Sequence, residues 1–467
     1  MKTHLNKQTL GCSVLAMLAS ANACSQKLPV KPNILIIITD QQSSESMSYN
    51  IGNKYINTPN MDYLARHGIS FTNAYCANPL SIPSRSSMFT GRYPHEVGIQ
   101  FNENKKIDPV EFPTIGTIFT KAGYETGYVG KWHLPYDAKK PEIHGFLYMK
   151  NIKNNGVDSL LPDAAINFLK IKRDKPFLLV ASFVNPHNIC EWARGQKLPD
   201  GVVGSPPSAD EYPPQRPNHM PSKNETDIMQ ILRKSYQASP TFPVSCFSDD
   251  KWRQYIWSYY RLVEKVDGEI GKILTELRKS GLDKNTIVIF LSDHGDSQGA
   301  HLWNQKTVFF EEVSKVPFII SYSGLKPGKS DYLVQTGIDL MATVCDLAGL
   351  PLQRQLPGTS LKKILTTGSA SADREYVVVS DRLMQGEPVD GYKPEPEGRM
   401  LRNRRFKYWI LNEGKQRETL YDLQNDPGEM VNLAADPKFR GDLENCRKEL
   451  MDWAKKYNDP YLKYLVK

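Results

Sequence analysis

The sequence predicts an α/β fold in which a mainly parallel sheet lies between helices, followed by a smaller α+β subdomain. Continuous apolar runs rich in β-branched residues indicate strands that are buried on both faces. These runs alternate with amphipathic helical patterns, which is typical of a parallel sheet with helices on its faces. Shorter strand patterns and a last helix follow a small-residue linker at Thr366–Asp373, and they predict the subdomain.

The clearest predicted strand is Asn33–Thr39 (NILIIIT), with Pro32 at its entrance, where a missing N–H does little harm. Similar runs occur at Phe177–Ser182, Thr286–Ser292 and Phe318–Ser321. In folds of this kind, reactive groups lie on the loops beyond the carboxyl ends of the strands. The residues that follow these runs are therefore the first candidates for a functional site.

Helical spacing is clearest at Tyr259–Leu277, where apolar residues recur every three or four positions before Gly281 ends the pattern. A long irregular excursion is predicted at residues 199–221, because its many prolines exclude helix and sheet interior. It is either a functional loop or a disordered insertion. The elements predicted for the subdomain are strands at Tyr376–Ser380, Phe406–Leu411 and Thr419–Leu423 and a helix at Pro437–Tyr457.

The first residues have the features of an export signal. Lys2 and Lys7 precede an apolar stretch that ends in the small-x-small pattern Ala21-Asn22-Ala23. The stretch is too short to span a bilayer as a permanent helix. Residues 1–23 are therefore predicted to be a signal peptide. Because Cys24 follows directly, the segment could instead be a lipoprotein signal that leaves a lipid anchor on this cysteine.

Composition narrows the classes of function. The chain has 467 residues and a formal charge of +8, with no long run of consecutive basic residues, so a nucleic-acid-binding tail is not expected. Cysteines remaining after the predicted signal show no CxxC or other metal-ligand spacing, which argues against a zinc site. In a chain of this length we expect most of them to be buried free thiols, with one or two disulfide bridges as the alternative.

The segment Ser81–Arg92 (SIPSRSSMFTGR) carries the most specific chemical signal. A hydroxyl residue at the start of a helix is usually only a cap. Here Pro83, Arg85 and a closing Thr-Gly-Arg follow it, and the segment resembles the signature of sulfatases, Cys or Ser followed by x-Pro-x-Arg. In that family the first residue is converted to formylglycine, so the resemblance implies this modification at Ser81. A serine here resembles the bacterial subclass that is matured by a radical enzyme.

The resemblance extends from about Asn33 to Leu433, because Gln335–Pro351 and Asp422–Leu433 also look like sulfatase segments. It implies an alkaline-phosphatase-like sandwich, with a central mixed sheet flanked by helices and a C-terminal subdomain containing a short antiparallel sheet. We expect a catalytic domain at residues 27–366 and the subdomain at 372–467.

Two strand ends predict a metal site. Asp40 and Asp293 follow buried runs, and although an Asp there is otherwise a common helix cap, Asn33–Gln41 and Ser292–Gly295 resemble the metal-binding segments of sulfatases. Many relatives have Asp in place of Gln41 and Asn in place of His294. Such oxygen-rich ligation suits Ca²⁺, or Mg²⁺ in a tight site. The implied ligands are Asp40, Gln41, Ser81, Asp293 and His294.

Two further segments, Gly123–Pro135 and Gly299–Glu312, carry basic side chains. Taken singly, a Lys is usually solvated and a His is usually satisfied within the fold. The resemblance implies that Lys131 and Lys306 hold sulfate and the gem-diol, and that His133 is the base of the second step. It implies that His187 donates to the bridging oxygen or binds sulfate, and that His301 is a second candidate for contact with the leaving group. Arg85 would orient the modified residue. The implied catalytic residues are Ser81, Arg85, Lys131, His133, His187, His301 and Lys306.

The function implied is hydrolysis of sulfate esters by attack of the formylglycine gem-diol on sulfur, with Ca²⁺ assistance. The alternatives are a phosphatase, phosphodiesterase or phosphonate hydrolase of the same superfamily, and a binding protein in which Ser81 stays unmodified. Phosphatases of this superfamily often carry further metal ligands at the positions of Lys131 and Lys306, so these two lysines favour the sulfatase.

The expected substrate is a sulfated glycan, of glycosaminoglycan or mucin type, attacked at a chain end. The basic run Arg402, Arg404, Arg405 and Lys407 is either a wall of the sugar subsite or a solvated strand face. Other expected partners are the maturation enzyme and, through Cys24, a membrane; no nucleic acid is expected. The predicted location is outside the bacterial cytoplasm, either periplasmic or anchored at the outer membrane as a lipoprotein.

Overall fold

The computed structural model describes residues 31–466 apart from 104, 153–155, 205, 352–355, 369 and 371–372. The predicted signal peptide and Cys24 lie outside these residues. A large sheet organises the first part of the chain, and its strands in chain order are β1 Asn33–Asp40, β2 Gly68–Tyr75, β3 Glu125–Lys131, β4 Tyr148–Ile152, β5 Phe177–Pro186, β6 Thr286–Ser292, β7 Phe318–Ser321 and β8 Gly328–Gln335.

The order of these strands across the sheet is β4-β3-β5-β1-β6-β7-β2-β8. All neighbouring pairs are parallel except those of β7, which runs antiparallel to β6 and to β2. Every residue of β1 is buried, and separate apolar cores cover the two faces of the sheet. The prediction of a mainly parallel sheet between helices is therefore confirmed.

Helices cover both faces of the large sheet and part of the small one. Their bounds are α1 Ser48–Ile51, α2 Pro59–Arg66, α3 Ser81–Thr90, α4 Ile115–Lys121, α5 Pro141–His144, α6 Leu161–Leu169, α7 Ile189–Ala193, α8 Asp227–Ala238, α9 Asp249–Lys279, α10 Glu311–Ser314, α11 Thr336–Leu347, α12 Lys362–Thr367, α13 Arg440–Lys456 and α14 Leu462–Leu465. Across the described residues, none of the helices combines the length and the apolar character needed to cross a membrane.

Helix α9 is longer than the predicted Tyr259–Leu277. It begins at Asp249, where the Ser248 side chain accepts a hydrogen bond from the Lys251 N–H and so caps the helix. Trp252 and Tyr255 extend its buried stripe by two turns. The predicted end is close, since the chain turns at Gly281 with a φ of 69°.

A second sheet follows in the last part of the chain, with strands β9 Tyr376–Arg382, β10 Glu397–Asn403, β11 Phe406–Leu411 and β12 Glu418–Asp422. It is antiparallel in the order β12-β11-β10-β9, and α13 packs Leu450 and Trp453 against it in a shared apolar core. The predicted antiparallel sheet is confirmed. The domain limits at residues 366 and 372 stay a prediction, and residues 369 and 371–372 lie outside the described part.

The excursion at 199–221 is packed against the rest of the chain at its end. Arg216 donates to Glu45 at 3.0 Å and to Gln298 at 3.2 Å, and Asn218 donates to Glu312 at 2.9 Å. These contacts argue against a disordered insertion at Arg216–Asn218, and a functional role of the excursion stays a prediction. The five cysteines within the described ranges are free thiols: Cys76, Cys190, Cys246, Cys345 and Cys446.

Candidate active site

The carboxyl ends of β1 and β6 meet side by side at one edge of the large sheet. The two strands are parallel neighbours with Thr39 opposite Ser292, so the next residues, Asp40 and Asp293, face the same space. The backbone N–H of Gln41 donates to Asp293 Oδ1 at 3.2 Å, which ties the two strand ends together. Parallel pairing therefore produces the pair of carboxylates that the sequence predicts.

Ser81 is the first residue of α3 and lies at this pair. Its Oγ is 3.4 Å from Asp40 Oδ2 and 3.1 Å from His294 Nε2, and the residue is fully buried. Ser84, one turn later, donates to the backbone oxygen of Asp293 at 2.6 Å and holds the helix against the β6 end. The Ser81 hydroxyl therefore lies against Asp40 and His294.

Arg85 links the two carboxylates. Its Nε donates to Asp293 Oδ2 at 2.8 Å, its Nη2 to Asp40 Oδ2 at 2.9 Å, and its Nη1 to Ser182 Oγ at 2.8 Å. All of these side chains are buried, so the guanidinium is fixed from three directions. Asp40 therefore contacts both Arg85 and Ser81.

Two lysines contact the first residues of this site. Lys131, at the end of β3, places its Nζ 2.8 Å from Asp40 Oδ2, and Lys306 donates to Gln41 Oε1 at 2.9 Å. Gly130, with a φ of 104°, precedes Lys131, and a Cβ there would clash with the backbone oxygen of Ser182. Only glycine lets β3 run this close to β5, which brings Lys131 to the site.

His133 and His187 complete the group from the ends of β3 and β5. Both are half-buried, and within the described residues the Nδ1 of each has no hydrogen-bond partner. Burial, assisted by Lys131 for His133 and by Lys306 for His187, holds the pKa of each imidazole well below its usual value. Both rings are therefore neutral at neutral pH and keep one N–H to donate.

Several ionisable side chains are buried close together around Ser81. Burial would raise the pKa of Asp40, but Lys131, His187 and Arg85 hold it well below its usual range. Burial and the neighbouring Asp40 raise the pKa of Asp293 to about 7. The cations Arg85, Lys131 and Lys306 face the carboxylates Asp40 and Asp293, so an anion is favoured in the remaining space.

The donor set fits a hard cation. Asp40, Asp293 and His294 each offer a ligand atom, and these atoms lie within 4.8 Å of one another. Asp40 Oδ1 is buried and has no hydrogen-bond partner in the described part of the chain. A carboxylate oxygen left unpaired in this way is costly unless a cation or water contacts it.

His301 lies apart from this group. It stacks on Phe310 with ring centroids 3.8 Å apart, its Nε2 is 3.3 Å from Asn218 Nδ2, and its possible co-ligands are Glu312 and Glu429. The ammonium of Lys407 already lies 2.9 Å from Glu429 Oε1. The structure therefore does not bring His301 to Ser81.

The four residues of the basic run each contact a different structural partner. Arg402 donates to Tyr75 Oη at 3.0 Å and Lys407 is fully buried beside Glu311 and Glu429. The other two members pair with acids nearby, Arg404 with Asp373 and Arg405 with Asp422. These contacts favour neither of the sequence-based interpretations, because the run stabilises the small sheet and its junction with α10.

Sequence reasoning missed several groups of the site. Ser182 on β5 accepts a hydrogen bond from Arg85 Nη1. Asp296 accepts from Gln41 Nε2 at 2.7 Å and from Tyr255 Oη at 3.0 Å. Asp296 follows Asp293 by three residues, and this proximity is the only signal in the sequence that could have found it. Ser182 and Tyr255 are ordinary members of a strand and a helix, and only the fold brings them here.

Comparison with known proteins agrees with this geometry. The family model described as Sulfatase matches residues 32–350, which is more than half of the chain. A second model, N-sulphoglucosamine sulphohydrolase, C-terminal, matches residues 299–456. The chain belongs to the sulfatase family. As a sulfatase it is an enzyme that hydrolyses sulfate esters.

Among characterised sulfatases, Delta 4,5-hexuronate-2-O-sulfatase of Bacteroides thetaiotaomicron is 32% identical over 450 residues, which cover 92% of this chain and 90% of the relative. The N-acetylglucosamine-6-O-sulfatase of the same organism is 26% identical over 527 residues, covering 98% and 92%. A solved 2-O GAG sulfatase superposes with a TM-score of 0.78 at 28% identity, covering 92% of this chain and 93% of the other. The phosphonate monoester hydrolase of Agrobacterium radiobacter shares the fold, with a TM-score of 0.72 at 20% identity over 91% and 96% of the chains.

Proposed function

We propose that this sulfatase removes sulfate from a carbohydrate, at the end of a glycosaminoglycan or mucin-type glycan, with Ser81 converted to formylglycine. The observation that carries the proposal is the position of Ser81 Oγ, 3.1 Å from His294 Nε2 and 3.4 Å from Asp40 Oδ2, inside a buried group that also contains Lys131 and Lys306. A serine hydroxyl alone is a weak nucleophile. His294, the imidazole beside Ser81 Oγ, is proposed as a ligand of the cation and not as a base.

The hydrated aldehyde would supply two hydroxyls on one carbon, so that one can attack sulfur and the other can later lose its proton and expel sulfate. Lys131 and Lys306 would bind the sulfate oxygens as charge-assisted donors. Arg85 neutralises Asp40 and Asp293 and keeps both in place. These groups are fixed before the substrate binds, which avoids reorganisation during the reaction.

The two half-buried histidines, His133 and His187, are proposed to transfer the protons of the reaction. His133 is neutral, and its free Nδ1 can accept a proton from the hydroxyl that expels sulfate. His187 is proposed to donate its N–H to the bridging oxygen as the bond to sulfur breaks, or to bind sulfate. The two histidines come from different strand ends, so their roles can be tested separately.

A cation is proposed to bind at Asp40, Asp293 and His294, with Ser81 and the Gln41 oxygen beside them. The donor set suits Ca²⁺, or Mg²⁺ if the site is tight. When bound, it would polarise the nucleophilic hydroxyl and a sulfate oxygen.

The substrate class is supported by the relatives, which act on hexuronate and N-acetylglucosamine sulfates. The test is a panel of sulfated mono- and disaccharides, with the 2-O-sulfated unsaturated hexuronate and the 6-O-sulfated N-acetylglucosamine as first members. Release of sulfate from such a sugar by the full chain, and its loss in Ser81→Ala, supports the proposal. Release only from aryl sulfates contradicts the carbohydrate assignment.

Formylglycine has its own test. Mass spectrometry of the peptide that contains Ser81, from protein made with a radical maturation enzyme, should show the aldehyde. Protein made without the enzyme should fold and remain inactive. An unmodified serine in fully active protein would rule out the modification, and an unmodified serine in the native host would favour the binding-protein alternative.

The second candidate is phosphonate or phosphate ester hydrolysis, which the structural similarity to phosphonate monoester hydrolase keeps open. The positions of Lys131 and Lys306, beside one proposed cation, suit a monoanionic sulfate better than a dianionic phosphate. Phosphate and phosphonate monoesters should therefore be much poorer substrates than sulfate esters of the same alcohol.

The proposed location is outside the cytoplasm, with residues 1–23 removed or Cys24 lipidated. Fractionation of the native cells, together with mass analysis of the mature N-terminus, distinguishes these two states. Full-length protein that keeps residues 1–23 in the cytoplasm would contradict both.

A further inference from the structure

Many relatives carry an acid at the position of Gln41. Unlike a carboxylate, an amide must be held in one orientation, because its two ends differ. The two oxygens of a carboxylate are equivalent, whereas an amide presents either an acceptor oxygen or two N–H donors. The Gln41 side chain is fully buried, its Oε1 accepts from Lys306 Nζ at 2.9 Å, and its Nε2 donates to Asp296 Oδ2 at 2.7 Å. Its orientation therefore decides which chemistry faces the site.

Asp296 is surrounded by donors. Besides Gln41, its carboxylate accepts from Tyr255 Oη at 3.0 and 3.1 Å and from the Gln298 N–H at 2.8 Å. The group is fully buried, and an ionised carboxylate can only accept. Gln41 must then turn its nitrogen to Asp296, which leaves its oxygen for Lys306.

The Cys190 thiol does not select an orientation of the Gln41 amide. Cys190 Sγ lies 3.4 Å from Gln41 Nε2 and 3.6 Å from Oε1, and a thiol both donates and accepts weakly. Lys306 selects the same orientation as Asp296, but its ammonium is also proposed to bind sulfate. During turnover, Asp296 is the partner that stays with Gln41.

We propose that Asp296, held by Tyr255, is a positioning residue that fixes the Gln41 amide with its oxygen toward Lys306 and the cation site. This inference rests on the proposed function, because it concerns the proposed cation. In the opposite orientation, the N–H groups of Gln41 would face an ammonium and a cation. Removal of such outer partners of a metal site typically costs about 10- to 100-fold in metal affinity or activity.

The test uses Asp296→Asn in the full chain with Ser81 unmodified, so that the readout does not depend on activity. An asparagine can donate as well as accept, so it no longer selects the Gln41 orientation. We measure the concentration of CaCl₂ that gives half of the thermal stabilisation, and expect it to rise at least about 10-fold. Tyr255→Phe, which removes one donor to Asp296, should raise it by a smaller factor.

A compensating variant makes the test specific. Gln41→Glu alone would place a second carboxylate against Asp296 and should weaken the fold. In the Asp296→Asn background, the same Glu would accept from both Lys306 and the introduced amide, so Gln41→Glu/Asp296→Asn should recover the calcium midpoint. Asp267→Asn is the matched control: Asp267 is buried and accepts from the Met61 N–H at 2.7 Å and Asn60 Nδ2 at 2.9 Å, far from these groups in the fold. It should lower stability without shifting the calcium midpoint.

An unchanged calcium midpoint in Asp296→Asn, with a clear response in the unaltered chain, would overturn the inference alone. A double variant no better than Asp296→Asn would do the same. Absence of any calcium response in the unaltered chain would overturn the proposed cation and this inference together. If Asp296→Asn does not fold, the double variant and Tyr255→Phe decide: a double variant that fails to reach the wild-type midpoint, or a wild-type midpoint in Tyr255→Phe, would refute the role of Asp296.

Discussion

Replacement of Arg85 by lysine keeps the charge but should strongly destabilise the protein. The guanidinium contacts Asp293, Asp40 and Ser182 at 2.8, 2.9 and 2.8 Å through three different nitrogens. A lysine ammonium is a single point and reaches one carboxylate at a time. The other carboxylate would remain buried next to a like charge.

The magnitude follows from the bonds that are lost. One hydrogen bond to a buried charged group is worth about 1.5–3 kcal/mol and a neutral one about 1 kcal/mol, so Arg85→Lys should cost about 2.5–4 kcal/mol of unfolding free energy. Arg85→Met removes the cation entirely. Breaking a buried ion pair typically costs about 3–5 kcal/mol of unfolding free energy, and this variant should lose no less than that. Because a domain is stable by only about 5–15 kcal/mol, the methionine variant approaches the limit of folding.

The assay is urea unfolding of the full chain at low ionic strength, with and without CaCl₂. Calcium bound at the proposed site should offset the charge left in Arg85→Met, so its stability deficit should shrink when calcium is added. Arg440→Met is the control, because Arg440 pairs with Glu444 on an exposed helix face and should contribute less than about 0.5 kcal/mol. An Arg85→Lys variant within about 0.5 kcal/mol of wild type would refute the reasoning, since this value is far below the bonds removed.

Three further perturbations test other parts of the fold. Burial raises the pKa of Asp381 to about 8, so the folded chain keeps a proton that the unfolded chain releases, and stability should fall by about 1.4 kcal/mol per pH unit from about pH 4 to 8. In Asp381→Asn this contribution should vanish, and urea unfolding at pH 5 and 7 that shows parallel losses in both proteins would contradict it. Lys407→Met leaves the ionised Glu311 without its cation and should lower stability by about 3–5 kcal/mol, with partial recovery on adding Glu311→Gln; no recovery in thermal unfolding would speak against the pair. Asp158→Ala frees two buried backbone N–H groups just before His187, so kcat on a sulfated sugar should fall more than KM changes, and an unaltered kcat would show that this loop needs no such support.

The strands that the sequence predicts well are those buried along their whole length. Thr286–Ser292, Phe318–Ser321 and Phe406–Leu411 have the predicted bounds, and every residue of these mainly apolar strands is buried. Strand β3 (ETGYVGK) was missed because glycines normally interrupt strands. Its glycines are there for packing, since a Cβ on Gly127 would lie 2.8 Å from the Phe168 ring. Half of β8 is exposed, which removes the apolar signal altogether.

For the site, strand-end reasoning indicated where Asp40, Asp293 and His187 would lie, whereas their roles and the rest of the group came through a resemblance. Nothing in the spacing of Ser81, Lys131 and Asp293 shows that they meet, because they are carried by separate elements of one sheet edge. His301 shows the limit of this reasoning. It lies in the same segment as Lys306, yet its backbone has a φ of 52° within a short 3₁₀ turn, and its ring stacks on Phe310 away from Ser81.

The glutamine at position 41 fits the charge balance of the site. Arg85, Lys131 and Lys306 already face two carboxylates, and a third carboxylate in direct contact would strengthen cation binding while weakening attraction for sulfate. An amide supplies an oxygen without that charge, but only if something determines its orientation. Asp296 does so from the far side of the amide, so its charge lies behind Gln41 and does not face the anion. A site of this kind can hold a cation and a sulfate together with one carboxylate fewer in contact with both.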